Sequence, residues 1–290
     1  VNVTVVSSII ALMLPPSHNL IIYSISAGGR ISIADLFTAG VIPGLLLALV
    51  LMITAWLVAR KRNYATEPFP GFVVVGRIFI NAVPGLILVA IIFGGVRSGI
   101  FTASESSCIA VVYALLVTLL AYRTLSWKEF VAATMGAVRT SSMVLLIIGS
   151  AAAFGWLLAY MRVPTALASW ITGISSNPLV ILLILNIALL VLGTFMDMSP
   201  LIAITTPIFL PVAVAVGVDP VHFGIIMILN LGIGLCTPPV GAVLFVGCAV
   251  GKVPVGTVIR TIWPFYSAAV VTLLLVTYIP ALSLWLPSLF

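Results

Sequence analysis

Charge is what this sequence has least of. Only 6% of its 290 residues are Asp, Glu, Lys or Arg, and 63% are hydrophobic, whereas an average soluble domain carries roughly 25% charged residues. No water-soluble fold covers its surface with so little charge, so soluble enzymes and soluble binding modules are excluded. Cysteine is also scarce: Cys108, Cys236 and Cys248 all lie in apolar runs without CxxC or Cys/His spacing. That argues against a disulfide framework and a zinc site, and the three are expected to pack as small apolar residues. Histidine occurs only as His18 and His222. There is no glycine-rich nucleotide loop and no Ser/His/Asp arrangement, so an ATP-driven pump, a hydrolase and an integral membrane enzyme all lose support. No cofactor is expected, and energy for any transport has to come from an ion gradient.

The formal net charge of +6 does not point to nucleic acid, because the 12 basic residues stand singly or in threes at the ends of apolar runs. Such placement reports membrane topology. What the chain has in abundance is apolar runs of about 18 residues or more, each able to cross the ~30 Å hydrocarbon core. The fold class is therefore an all-α polytopic membrane protein.

Simple spans are expected near 36–59, 84–96, 107–122, 142–160 and 257–286. Three other regions are apolar but broken: 3–27 around Pro15-Pro16, 179–216 around 197–200, and 223–250 around Pro238-Pro239. A broken helix is tolerated at membrane depth only where protein or a cavity satisfies the freed backbone. Amphipathic stretches at 72–80 with Arg77, at 127–139, and at 164–170 after Arg162 read as interfacial helices. With the cluster Arg60-Lys61-Arg62 in the cytoplasm, alternating the spans puts nine of the 12 basic residues inside and leaves Arg30, Arg97 and Arg162 outside. The segment 179–216 adds no net crossing, whether re-entrant hairpin or two short spans, and the C-terminal Phe290 then falls outside.

A repeat is the most informative feature. Leu12-Met13-Leu14-Pro15-Pro16-Ser17, followed by Gly29-Arg30-Ile31-Ser32-Ile33 and Pro43, parallels Leu235-Cys236-Thr237-Pro238-Pro239-Val240, followed by Gly251-Lys252-Val253-Pro254-Val255 and Pro264. In each copy a double proline breaks an apolar helix, a Gly-basic step ends it, and a long span follows. The topology above runs the two copies in opposite directions, and an inverted repeat with broken helices marks a secondary transporter. The first copy has only 14 residues before its double proline. By symmetry a further hairpin and further spans, on the order of 100 residues, are expected upstream of Val1.

Asp197 lies inside an apolar segment, within Gly193-Thr194-Phe195-Met196-Asp197-Met198-Ser199-Pro200. An intramembrane carboxylate is a functional-site hypothesis by default. Thr194, Asp197 and Ser199 supply hard oxygen donors suited to an alkali cation, and Asp197 also stands where an Asp caps a helix. At Thr237-Pro238-Pro239-Val240-Gly241 the prolines break the ladder, leaving carbonyls near 234–237 to coordinate an ion and half-helix N–H groups at Val240 and Gly241 to meet an anion. Pro15-Pro16-Ser17-His18-Asn19 is the same device with a more polar exit, and Ser7 occupies the place of Asn230, eight residues before the first proline of each pair. A plain kink is the alternative there. His18 either pairs with a substrate carboxylate or satisfies a neighbouring carbonyl, and His222, after Asp219-Pro220, reads as interfacial. Thr205 and Thr206 either bond the carbonyl one turn earlier or face a cavity. Glu105, in Thr102-Ala103-Ser104-Glu105, reads as part of a helix cap.

The strongest stretch of resemblance to a known family runs over 193–252. It comprises Gly193-Thr194-Phe195-Met196-Asp197, Thr206-Pro207-Ile208-Phe209-Leu210-Pro211, Gly217-Val218-Asp219-Pro220-Val221-His222-Phe223-Gly224 and Thr237-Pro238-Pro239-Val240-Gly241. With Pro15-Pro16-Ser17, Ala39-Gly40-Val41-Ile42-Pro43-Gly44, Ser98-Gly99-Ile100-Phe101-Thr102-Ala103-Ser104-Glu105 and Ala281-Leu282-Ser283-Leu284-Trp285-Leu286-Pro287, the order matches throughout. The chain resembles the large membrane subunit (M subunit, DctM) of tripartite ATP-independent periplasmic (TRAP) transporters.

The resemblance implies an elevator-type carrier in the bacterial inner membrane with re-entrant hairpins and two broken helices. It implies sodium as coupling ion, a small membrane partner (Q subunit), and a periplasmic binding protein that delivers an organic acid of dicarboxylate or sugar-acid type. By position it makes 193–200 the tip of the second hairpin, and Thr237 to Gly241 the facing break of one sodium site. Ser7, Ser8 and Pro15 to Asn19 become the facing break of the other. The expected sodium donors are thus Ser7, Pro15, Ser17, Gly193, Thr194, Asp197, Ser199, Asn230, Thr237 and Pro239. The expected substrate contacts are Ser17, His18, Asn19, Thr206, Val240 and Gly241. The division expected is 1–34 first broken helix, 35–176 scaffold, 177–255 hairpin and second broken helix, and 256–290 last span. The rivals are proton coupling through Asp197 and a non-transporting scaffold.

Overall fold

The computed structural model describes residues 1–62, 70–123, 125–174 and 177–289. Among the described residues every regular element is helical, as lipid demands of a chain whose amides have no water to bond. In order these are α1 (Asn2–Met13), α2 (His18–Ser26), α3 (Ile33–Lys61), α4 (Phe72–Arg97) and α5 (Ala103–Leu116), which runs on into a π-helical stretch (Val117–Tyr122). Then come α6 (Trp127–Tyr160), α7 (Val163–Ile174), α8 (Pro178–Phe195), α9 (Met198–Ala215), α10 (Pro220–Leu235), α11 (Ala242–Gly251), α12 (Val255–Tyr278) and α13 (Ala281–Ser288). Six of the described helices are long and apolar enough to cross a membrane, and α1 and α2, bent by 51° at the first double proline, form a further apolar pair, a broken span or a re-entrant loop.

Three expectations need correction. Residues 72–80 are no separate interfacial helix, because α4 continues through Pro84 to Arg97. Residues 127–139 likewise form the first turns of the 34-residue α6. Conversely, the last span ends at Tyr278: Ile279, which precedes Pro280, adopts φ −121° and ψ 83°, as a residue crowded by the following proline ring does.

The chain divides into two compact units, residues 1–58 with 144–290, and residues 59–143. In the first unit α10 is the central stave. Every residue from His222 to Leu235 is buried, and α10 packs on α8, α9, α1 and α12. A helix that is apolar all round has to be enclosed in this way. Small residues set how close its neighbours come. Gly232 faces Ile9 so closely that a Cβ there would sit 2.9 Å from its Cγ2, and Gly224 lies against the Tyr23 ring, whose hydroxyl donates to the Pro220 carbonyl at 2.6 Å. Both copies of the repeat are realised: a helix, a break with a cis Pro-Pro peptide, a short helix, then a long one containing Pro43 or Pro264.

In the second unit α4 and α5 pack together, with the Tyr113 hydroxyl donating to the Pro84 carbonyl at 3.0 Å. Glu105 behaves as expected: its carboxylate accepts from the Thr102 N–H at 2.8 Å while the Thr102 hydroxyl accepts from the Glu105 N–H, a capping box. Ser126 and Glu129 repeat the device at the start of α6. Of the cysteines, Cys236 and Cys248 are buried as expected, whereas Cys108 is exposed.

Candidate cation and anion site at two helix breaks

The second break begins where α10 ends at Leu235. Prolines 238 and 239 have no N–H to give, and the chain turns through residues 236–241 before α11 starts at Ala242. Gly241, at φ 20°, is hemmed in by oxygen: a Cβ there would lie 2.8 Å from the Thr237 carbonyl oxygen and 3.3 Å from that of Leu235. Two backbone carbonyls therefore converge on one Cα. The Thr237 hydroxyl donates to the Ile233 carbonyl at 2.7 Å, and the Cys236 carbonyl is held by the Tyr266 hydroxyl from α12.

The hairpin tip meets this break. Helix α8 ends at Phe195, Met196 is extended, and α9 starts after Asp197. The Val240 N–H donates to the Thr194 carbonyl at 3.3 Å, which joins the tip to the break by backbone alone. One turn further in, Gly193 and Gly234 touch, so a Cβ on Gly234 would lie 2.7 Å from the Gly193 carbonyl carbon. The Thr194 hydroxyl turns back to the Val191 carbonyl at 2.7 Å. Asp197 takes the N-cap position of α9 without bonding that helix through its side chain, and it is exposed. Ser199 is half-buried in the first turn.

At the first break the Ser17 hydroxyl donates to the Leu12 carbonyl at 2.6 Å, spanning the kink. Asn19 is 2% exposed, and its Oδ1 has no partner among the described residues, while His18 between them is exposed. Pro15 is buried. Ser7 sits on α1 with its hydroxyl on the Thr4 carbonyl at 3.2 Å, and Ser8 bonds the Val5 carbonyl. That same Val5 carbonyl takes the Cys236 thiol at 3.4 Å, so the two broken helices are in direct contact.

Two expected site residues, Asn230 and Thr206, lie elsewhere. Asn230 faces away from the break: its amide donates to the Asn186 carbonyl and Oδ1 at 2.9 and 2.8 Å, with no exposed surface. Thr206 has no exposed surface either, and its hydroxyl is given to the Ile202 carbonyl at 2.6 Å, which is the back-bonding alternative rather than a cavity. His222 is buried rather than interfacial, with Nε2 3.3 Å from the Thr277 carbonyl. Sequence reasoning missed Asn186 and Thr277, which bond each other at 3.0 Å and complete this buried polar chain. An amide inside the apolar run of α8 was the available signal for Asn186.

Among the described residues no three His, Cys, Asp or Glu side chains gather as a metal-binding group. The tip and the break carry carbonyl, hydroxyl and carboxylate oxygens, of which the Thr237 and Leu235 carbonyls converge, and oxygen donors are the kind that suits a hard cation. The N-terminal ends of α2 and α11 add N–H groups suited to an anion.

A family model described as "Tripartite ATP-independent periplasmic transporter, DctM component" matches residues 1–282. The chain is 45% identical over 288 residues to the uncharacterised protein YgiK of Salmonella typhimurium, covering 99% of this chain and 66% of YgiK. It is 40% identical over 279 residues to the C4-dicarboxylate TRAP transporter large permease protein DctM of Pseudomonas aeruginosa, covering 96% and 65% respectively. It is 39% identical over 289 residues to the sialic acid TRAP transporter large permease protein SiaM of Vibrio cholerae, covering 100% and 67%. The chain thus spans about two thirds of the length of these curated relatives.

Proposed function

This chain belongs to the DctM component family of tripartite ATP-independent periplasmic transporters, and on that premise we propose that it supplies the ion and substrate site of a sodium-coupled permease for organic acids. The observation that carries the reading is the joint between hairpin tip and second break, the Val240 N–H on the Thr194 carbonyl with Gly193 seated on Gly234. A cation held by the Leu235 and Thr237 carbonyls, by Thr194 and by Asp197 draws the tip onto the break. That order creates a surface on which the N-terminal end of α11 after Gly241, with Ser17, His18 and Asn19 at the start of α2, receives a substrate carboxylate, the Val240 N–H staying on the Thr194 carbonyl. The order of binding is therefore sodium first and acid second.

The relatives named for C4-dicarboxylates and for sialic acid support a carboxylate as the transported group. Both broken helices and the hairpin fall within one compact unit, which supports their moving together as the carrier body of an elevator. A periplasmic binding protein and a small membrane subunit, separate or fused, complete the transporter in the bacterial inner membrane. The test is sodium-dependent uptake by the full-length transporter carrying Asp197→Ala or Thr237→Ala. Loss of sodium dependence is the expected result, and unchanged sodium dependence in both variants sinks the reading. Uptake driven by a pH gradient in sodium-free buffer replaces sodium with a proton, and solute-independent assembly without flux leaves a scaffold.

A further inference from the structure

A cavity of about 340 Å³ lies in the second unit, where the chain leaves α5 and its π-helical extension and enters α6. Its walls are Leu115, Leu119, Leu125, Ser126, Trp127 and Phe130. Leu115 and Leu119 are one turn apart on one helix. Trp127 and Phe130 are three apart on the other, and their rings stack with centroids 5.5 Å apart. The one hydroxyl in the wall, that of Ser126, is already given to Glu129 at 2.7 Å, which leaves the Trp127 indole N–H as the polar group among the lining side chains. The lining is otherwise hydrocarbon and aromatic and accepts a hydrocarbon chain.

The ends of the same two helices carry charge. Between 115 and 130 the charged residues are Arg123, Lys128 and Glu129. Arg123 and Lys128 are both exposed. Glu129 is engaged by the Ser126 N–H and hydroxyl in the cap of α6, where a helix N-terminus offsets its charge. Arg123 takes the left-handed backbone conformation, φ 52°, directly after the π-helical stretch, and π-helical turns recur at functional sites. An indole 78% exposed beside a lysine is the pairing found at the headgroup level of a bilayer.

We propose that this groove between α5 and α6 is a binding site for an anionic phospholipid, its acyl chain lying between Leu115, Leu119, Trp127 and Phe130 and its phosphate facing Arg123 and Lys128. A zwitterionic lipid brings its own cation to the same pair and is held less well, so the site selects by headgroup charge.

The experiment places the protein in nanodiscs of phosphatidylcholine with a varied share of acyl-brominated phosphatidylglycerol or acyl-brominated phosphatidylcholine, and reads tryptophan quenching. The contribution of Trp127 is taken as the difference from a Trp127→Phe variant, whose aromatic ring keeps the groove wall. The Trp127 component is expected to reach half-quenching at a mole fraction of the brominated phosphatidylglycerol at least about fivefold lower, the preference that even one of the two basic residues near a membrane surface provides. In Arg123→Gln/Lys128→Gln the two lipids should quench alike, with quenching by phosphatidylcholine unchanged. Equal quenching by both lipids in the unsubstituted protein overturns the proposal, and so does a preference that survives the double substitution. Failure of either lipid to quench Trp127 puts protein rather than lipid in the groove and overturns it equally. Both substituted side chains are exposed, so the variant keeps the packing of the unit.

Discussion

Replacing Gly234 by Ala tests whether the hairpin tip and the second break act as one device. The added Cβ would stand 2.7 Å from the Gly193 carbonyl carbon, 2.8 Å from its Cα and 2.9 Å from its oxygen. Packed carbons rest at about 3.5 to 4.0 Å, and all three obstacles are backbone, so the tip has to retreat by about 1 Å. The Val240 to Thr194 bond, already at 3.3 Å, does not survive that retreat. Overpacking of this kind costs about 1 to 3 kcal/mol. If sodium binds only when tip and break are together, the same energy is subtracted from its affinity, which at 1.4 kcal/mol per factor of ten amounts to roughly five- to a hundredfold. The assay is the sodium concentration for half-maximal uptake by the full-length transporter, together with the sodium-induced rise in melting temperature. Gly149→Ala is the control, since a Cβ there meets nothing within 4 Å and brings the same gain in helix propensity. Unchanged half-saturation in Gly234→Ala would refute the idea that the glycine contact seats the tip.

Three further outcomes are expected. Asn230→Leu abandons the bonds to Asn186 and should cost about 1 to 3 kcal/mol in an unfolding titration; adding Asn186→Leu should cost less than the sum of the two single changes, because it removes the Asn186 oxygen that the first change leaves unpaired, while the Thr277 hydroxyl still loses its donor. Tyr23→Phe loses the 2.6 Å bond to the Pro220 carbonyl and should lower stability by about 1 kcal/mol while leaving the sodium half-saturation unmoved. Glu105 has its carboxyl held below the ordinary value by the Thr102 backbone N–H and then by the Thr102 hydroxyl. Its contribution is therefore present above the pKa of the unfolded carboxyl and lost as pH falls through the lowered folded value; the protection of amides 103–106 from hydrogen exchange, relative to the intrinsic rate at each pH, should fall in acid, and Glu105→Gln should flatten that dependence.

The readable features of the sequence were local ones. Pro15-Pro16 and Pro238-Pro239 announced both breaks because a missing N–H interrupts a helix wherever it falls. Thr102 and Glu105 announced a cap because a capping box closes within four residues. The tip at 193–200 was legible from a carboxylate in an apolar run. The reading went astray where local signals competed. Arg77 and Arg139 suggested interfacial helices, yet α4 and α6 run through them, since a long basic side chain can extend to the membrane surface from within a span. Asn230 was assigned to the ion site by its offset from the proline, yet it bonds Asn186 on α8, a residue 44 positions away whose orientation no spacing rule supplies.

The sequence by itself determined the solvent, the helical class, the two breaks, the hairpin and the kinds of oxygen they offer, because each follows from composition or from the chemistry of a few adjacent residues. Only the tertiary structure decided which of those groups meet. It set Gly193 on Gly234, turned the Thr206 hydroxyl into its own helix, and drew Asn186, Asn230, Thr277 and His222 into one buried chain. These outcomes depend on the rotation of each helix about its axis, which is fixed by the packing of all its neighbours at once and leaves no mark in any short stretch of sequence.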